Sequence, residues 1–366
     1  MIKPIAFYLP QFHPIPENDV WWGKGFTEWT NVTKAKPLFD GHFQPRLPAD
    51  LGFYDLRVSE SRIAQAELAK QYGIYGFCYW HYWFGGKQIL DRPLKEVVEL
   101  GKPDFPFCLA WANQTWKGTW HGLSNDKKLI EQTYPGSEDH EAHFYAMLST
   151  FKDKRYIEIN QKKVFAIFQP LDIPEVQNFI AQWQQLALDN GLQGFHFVGL
   201  HMPNEFDADT LNYDGSVQAI APWLNNLQPK RKFNFFQKLL RQFYVPKSDL
   251  KKTPRKVSYK SMVDNYPEKK LPKNQYPMLF CDWDNTPRSG ADGWLFTDFS
   301  TDLFEEYVIK SCIETENKQE DEKFIFIKSW NEWAEGNYLE PDQNHGKALL
   351  ETFRKGLNRY NFSKVN

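Results

Sequence analysis

The sequence predicts a single (β/α)₈ TIM barrel with long loops at the C-terminal face of its strands and a basic excursion before the seventh. Three observations predict it. Eight apolar, β-branched or aromatic runs alternate with stretches of helical spacing, the pattern of parallel β/α units. The 366 residues are enough for one such barrel with long loops. Polar and aromatic clusters follow nearly every strand at its C-terminal end: Tyr8 and Gln11, Trp80 and His81, Asn113 and Gln114, Gln169, His201, Asp282 and Asp284, Asn331 and Glu332. A doubly wound open sheet needs such enrichment only at its switch point, whereas a barrel rings one pocket with all its strand ends.

In order, residues 5–10 read as the first strand, followed by a polar and aromatic loop over 11–50 that holds His13, Trp21, Trp22, Glu28 and Trp29. Residues 55–72 have apolar positions at helical spacing and stop at Gly73. The second strand is 75–84, closing on Trp80-His-Tyr-Trp-Phe84; a helix near 93–100 and the third strand, 105–111, come next. A helix over 137–151 precedes the fourth strand, 164–170. The amphipathic stretch 174–190 has Pro near its start and Gly191 after its end, the usual helix asymmetry. Strands at 195–200, 215–222, 278–284 and 324–330 complete the eight, with helices at 301–313 and 346–357.

Composition narrows the function. The net charge of −2 gives no global signal for nucleic acid. No apolar run is long enough to span a bilayer, so no integral membrane segment is expected. Strand-forming residues begin at once with no leader, so the chain as given reads as cytoplasmic; an exported form needs a leader outside it. Cys78, Cys108, Cys281 and Cys312 lack metal-like spacing and read as buried thiols. The nine histidines are scattered, with no helical His-x-x-x-His, so neither metal nor cofactor is expected. Residues 223–275 carry fourteen Lys/Arg against three Asp/Glu. The plain reading is a solvated excursion on the barrel rim; the sharper one is contact with an anionic glycan or a membrane surface.

The chemistry concentrates in Phe324-Ile-Phe-Ile-Lys-Ser-Trp-Asn-Glu-Trp-Ala-Glu-Gly336. On an extended strand Glu332 and Glu335 would point to opposite faces; a helical turn after Trp333 puts them on one. Two acids converging beside Trp330 and Trp333 suit glycosidic chemistry, one giving a proton and the other acting as base or nucleophile. Aromatics form 17% of the chain, more than a core requires, and their faces suit the C–H surfaces of sugars.

The opening Ile5-Ala-Phe-Tyr-Leu-Pro-Gln-Phe-His-Pro-Ile-Pro-Glu-Asn18, with Trp21-Trp-Gly-Lys-Gly-Phe-Thr-Glu-Trp-Thr-Asn31, resembles the WbsX-type family. So do Leu47-Pro-Ala-Asp-Leu-Gly-Phe-Tyr-Asp-Leu-Arg57, Asp282-Trp-Asp-Asn-Thr-Pro-Arg288 and the Glu332/Glu335 segment, so that the resemblance covers nearly the whole chain. These proteins occur in bacterial surface-polysaccharide loci and are often labelled glycosyltransferases. They are similar to glycoside hydrolase family 99, endo-acting α-mannosidases with (β/α)₈ barrels. The resemblance implies a retaining hydrolase of an oligosaccharide or polysaccharide. In it Glu332 is the base that deprotonates the substrate's 2-hydroxyl, and Glu335 the general acid/base; the intermediate is a 1,2-anhydro sugar. A Trp wall is expected to raise the pKa of the acid. Tyr8, Trp80, His81, Trp111, Asn113, Gln114, Asp282, Trp330 and Asn331 are the expected sugar-binding lining.

One departure stands out: where relatives are expected to read Trp-Ala-Asn-Glu followed by paired arginines, this chain has Trp111-Ala-Asn-Gln114 and then Lys117-Gly-Thr-Trp-His121. That leaves the sugar recognised there open. Two rivals stand beside the hydrolase. A transferase would use Asp282-Trp-Asp284 as a metal-binding D-x-D, although no phosphate cradle accompanies it and alternate strand positions would face opposite ways. A non-catalytic glycan-binding barrel has no chemical reason to keep both acids.

Overall fold

The computed structural model describes residues 1–118, 128–200, 211–218, 253–266 and 271–364. Nine parallel strand segments form the barrel: β1 (Lys3–Tyr8), β2 (Gly76–Phe84), β3 (Phe107–Trp111), β4 (Lys162–Ile167), β5 (Phe195–Gly199), β6 (Gly215–Val217), β7 (Gln275–Tyr276), β8 (Met278–Leu279) and β9 (Phe324–Ile327). They pair in the order β7-β6-β5-β4-β3-β2-β1-β9-β8. The seventh barrel strand is thus two segments, β7 against β6 and β8 against β9. Pro277 divides them: it has no N–H to offer, and its carbonyl accepts from Phe326 at 3.0 Å. The strand accordingly starts three residues before the predicted one and ends at Leu279, before Asp282.

Outside the barrel lie α1 (Pro16–Trp22), α2 (Glu28–Lys34), α3 (Ser59–Gln71), α4 (Arg92–Leu100), α5 (Ser137–Phe151), α6 (Val176–Asp189), α7 (Tyr259–Asp264), α8 (Thr286–Ser289), α9 (Thr301–Ile313) and α10 (Ala348–Ser363). Local chemistry fixes several ends. Pro93 sits in the first turn of α4, and Gly101 ends it in the left-handed region at φ 63°. Ser300 caps α9, its hydroxyl accepting from the Leu303 N–H. Phe144, Phe151, Phe165, Phe179, Trp183 and Phe195 interlock between α5, α6 and the strands, all without solvent access. The four cysteines are buried free thiols.

No described helix is long and apolar enough to cross a membrane. Of the basic excursion, residues 223–252 and 267–270 lie outside the described residues, as do His201 and residues 119–121. Its described end forms a strand, Arg255–Ser258, beside Trp294–Thr297, and leads into α7. Lys256 lies over the Phe39 ring at 3.5 Å, so this end of the excursion is packed on the first loop.

Candidate active site

The first and last barrel strands are neighbours, and their C-terminal ends carry the site. The register Ala6↔Ile327 continues past β9: Trp330 N–H donates to the Phe7 carbonyl at 2.7 Å. Asn331 then takes over with its side chain, accepting from Leu9 N–H at 2.7 Å and donating to Leu9 O at 3.1 Å. Beyond it the chain doubles back: Asn331–Glu332 pairs antiparallel with Asn337–Tyr338 around a 3₁₀ turn at Trp333–Glu335. The tight turn brings Glu332 and Glu335 onto one side.

Gly336 closes the turn at φ 59°, and a Cβ there would stand 2.8 Å from the Asp284 nitrogen. Only glycine satisfies both the conformation and the contact. Gly336→Ala is expected to cost about 1–3 kcal/mol in denaturant unfolding.

Both acids bind one guanidinium. Arg288, on α8, reaches Glu332 at 2.5 Å and Glu335 at 2.8 Å. Its rear contact is Glu28 of α2, 3.1 Å away and fully buried. Lys328 stands 4.0 Å from the other oxygen of Glu335. Glu332 is nearly sealed, whereas the Glu335 side chain keeps 21% of its exposure. Burial pushes Glu332 up to about 7, against the pull of Arg288 and with the help of the Glu335 charge. Glu332 is the deeper of the two. Behind them Glu340, also pushed up to about 7 by burial, accepts from Gln65, Tyr54 and Trp333, which fixes the Trp333 ring.

The pocket in front of the acids encloses about 730 Å³ of empty space, its open mouth included. Trp80, Tyr82, Trp116 and Phe168 give it aromatic walls, and Gln11, Gln114, Lys117 and Lys328 polar ones. A polar groove lined by Gln132, Gln169 and Asp172 adjoins it, sharing Gln114 and Lys117.

Of the nine expected lining residues, Trp80 and Gln114 meet the two acids in this pocket, and Asn113 lines the adjoining groove. Tyr8, His81 and Trp111 face away from the barrel axis, because successive strand residues alternate. Tyr8 donates to Gln65 on α3 at 2.6 Å; Trp111 donates to the Trp83 carbonyl. His81 meets His143 of α5 at 2.7 Å, with burial pulling it down to about 3, so it is neutral. Asn113 ties Gln169 backbone and Tyr134 together and Asn331 clamps Leu9, while Trp330 is buried against Phe77. Asp282 holds Arg46 at 2.7 Å. The expected lining left out Arg288, Tyr82, Trp116, Phe168 and Lys328, while Gln11, read as a strand-end residue, lies in the pocket. Tyr82 and Trp80 are two apart on one strand, a signal that was available.

The two aspartates of the D-x-D do not alternate, since the strand has ended. Arg46 reaches both, at 2.7 Å for Asp282 and 4.0 Å for Asp284. Asp284 also accepts from Gln44 at 2.7 Å and Thr286 at 2.7 Å and pairs with His42 at 2.8 Å. Burial opposes its ionisation, but Arg46 and these donors hold the carboxyl below its usual value. Among the described residues no cluster of three or more His, Cys, Asp or Glu side chains is arranged to hold a metal.

A (β/α)₈ barrel rings one pocket with its strand ends, here an aromatic cleft that carries paired acids. The chain belongs to the family described as "Glycosyltransferase WbsX", whose model matches residues 4–353. It is 35% identical over 358 residues to "Uncharacterized protein WxcX" of Xanthomonas campestris pv. campestris, in strains B100 and ATCC 33913. That match takes in 97% of this chain and 49% of the relative, so the chain spans about half the length of the curated relatives it matches. In structure it is similar to the GH99 endo-alpha-mannosidase of Bacteroides thetaiotaomicron, at a TM-score of 0.55 and 15% identity over 99% of this chain and 98% of that one. A "Glycoside hydrolase-like protein" matches at a TM-score of 0.57 and 12% identity, over 97% and 93% of the two chains. At such identities these likenesses establish the barrel fold.

Proposed function

We propose that the chain is a retaining glycoside hydrolase, endo-acting on an α-linked bacterial polysaccharide that contains mannose. The observation that carries this reading is the pair Glu332 and Glu335 on one guanidinium, facing an aromatic-walled pocket. The mannosidase activity named for the structural neighbour supports the sugar.

In the first step the Glu332 carboxylate takes the proton of the sugar's 2-hydroxyl, and that oxygen attacks the anomeric carbon. The glycosidic bond breaks as Glu335 protonates the leaving oxygen. Glu335 then removes a proton from water, which opens the 1,2-anhydro ring at the anomeric carbon, and Glu332 returns its proton to the 2-oxygen. Two inversions give retention. A base titrating near 7 suits proton transfer at neutral pH. Trp80 and Trp116 offer the sugar faces apolar contact, while Gln114 and Gln11 hydrogen-bond its hydroxyls.

The family's description favours a second reading, transfer from an activated sugar. Both are tested by incubating the protein with α-linked oligosaccharides and bacterial O-antigens, with and without nucleotide sugars, and reading products by NMR. Cleavage without a nucleotide sugar, the anomeric configuration kept, is the expected result. Turnover that requires the nucleotide sugar would replace the hydrolase by the transferase, and inversion would remove the anhydro intermediate.

A further inference from the structure

Arg288 is gripped from two sides by chain segments far apart in sequence. Glu332 and Glu335 take its two terminal nitrogens from the pocket side. Glu28, 260 residues away, takes its Nε at 3.3 Å and one terminal nitrogen from behind. Glu28 has no exposed surface and does not line the pocket, so it cannot meet a bound sugar directly. A planar guanidinium presents its donors in a fixed fork, so two carboxylates held on it have a set spacing.

We propose that Arg288, anchored from behind by Glu28, is a positioning residue that fixes the spacing of Glu332 and Glu335 and apportions negative charge between them. That the two acids are the reacting pair rests on the hydrolase reading above; the sharing of charge does not. Five groups face Glu332: Arg288 from α8, Glu28 from α2, Glu335 from its own turn, Lys328 from the end of β9 and Tyr82 from β2. Arg288 and Lys328 favour its ionised form, and Glu28 and Glu335 oppose it. Tyr82, whose ionisation burial disfavours, is neutral throughout.

The two anchoring residues therefore act on Glu332 in opposite directions. Removing the arginine's charge deprives the carboxylate of its nearest cation, so the proton is held to higher pH. Neutralising Glu28 removes a like charge and leaves more of the guanidinium for Glu332, so the proton is lost at lower pH. A residue that only supports the fold, without facing Glu332, would leave this titration unmoved.

The test is ¹³C NMR titration of the glutamate carboxyls in the full chain, with Glu332→Gln identifying the Glu332 signal. Arg288→Gln is expected to raise the Glu332 midpoint by about 1–3 pH units and Glu28→Gln to lower it by about one. If Arg288→Gln does not fold, Arg288→Lys replaces the fork with one compact charge and is expected to raise the midpoint by a smaller amount. Shifts of the same sign in the two positions, or none beyond about 0.3 units in either, would overturn the proposal. Titration needs no substrate, so a protein that cleaves no glycan can still pass this test, and an active hydrolase can fail it.

Discussion

Glu335→Gln is expected to leave the barrel folded and to lower glycan turnover by roughly 10²–10⁴-fold, with Glu332→Gln falling in the same range. Glutamine keeps the size of each side chain, and its carbonyl still accepts from Arg288; what it cannot do is take up or release a proton. The two variants are expected to differ in kind. Without Glu335 a substrate whose leaving group needs no protonation regains much of the lost rate. Without Glu332 the 2-hydroxyl is never activated, and a better leaving group gives no such rescue. In the unmodified protein the rate is expected to rise as pH climbs through about 7, because Glu332 must be ionised to act as the base and burial holds its proton to that value. Steady-state kinetics on both substrate types, with circular dichroism as a control for folding, provides the check. Near-normal turnover in either variant strips that residue of its role.

The second large effect is on stability. Asp284→Ala is expected to cost about 3–5 kcal/mol in denaturant unfolding, because it removes the acceptor that His42, Gln44 and Thr286 share. Alanine leaves those buried donors unmatched, and Arg46 loses part of its counter-charge. The damage spreads to the site, since Asp284 also donates its backbone N–H to the Glu335 carbonyl at 2.7 Å and lies against Gly336. EDTA is expected to leave the unmodified protein's unfolding curve unchanged. A chelator that reproduced the loss would make Asp284 a metal ligand and revive the D-x-D reading.

The fold was legible because each barrel segment has apolar runs of the right length and spacing, and these survive even where loops are long. The broken seventh strand was less so: the apolar run 278–284 looked continuous, and only Pro277 marked where pairing changes partner. In the site, the acid-bearing turn was readable from Glu332, Glu335 and Gly336 together. The lining was not. Choosing Trp80 and His81 as neighbours on one strand set aside the alternation that points one to the axis and the other to α5. Asn331 and Asp282 hydrogen-bond their own scaffold, and no single sequence distinguishes a polar side chain that binds sugar from one that ties loops. Arg288 lay in a recognised motif, but its tie to Glu28 spans 260 residues and has no local signature.

The pairing of β1 with β9 has a bearing on biosynthesis. Leu9 and Asn331, which clamp the two strand ends together, are 322 residues apart. At about 5–20 residues per second, a ribosome needs roughly 15–65 s to travel between them. For that interval β1 has β2 on one side but lacks its other neighbour, β9, and buried Glu28 lacks Arg288. The seam between β1 and β9 therefore closes late, and a chain that ends before residue 324 leaves the β1 edge unpaired and carries neither acid.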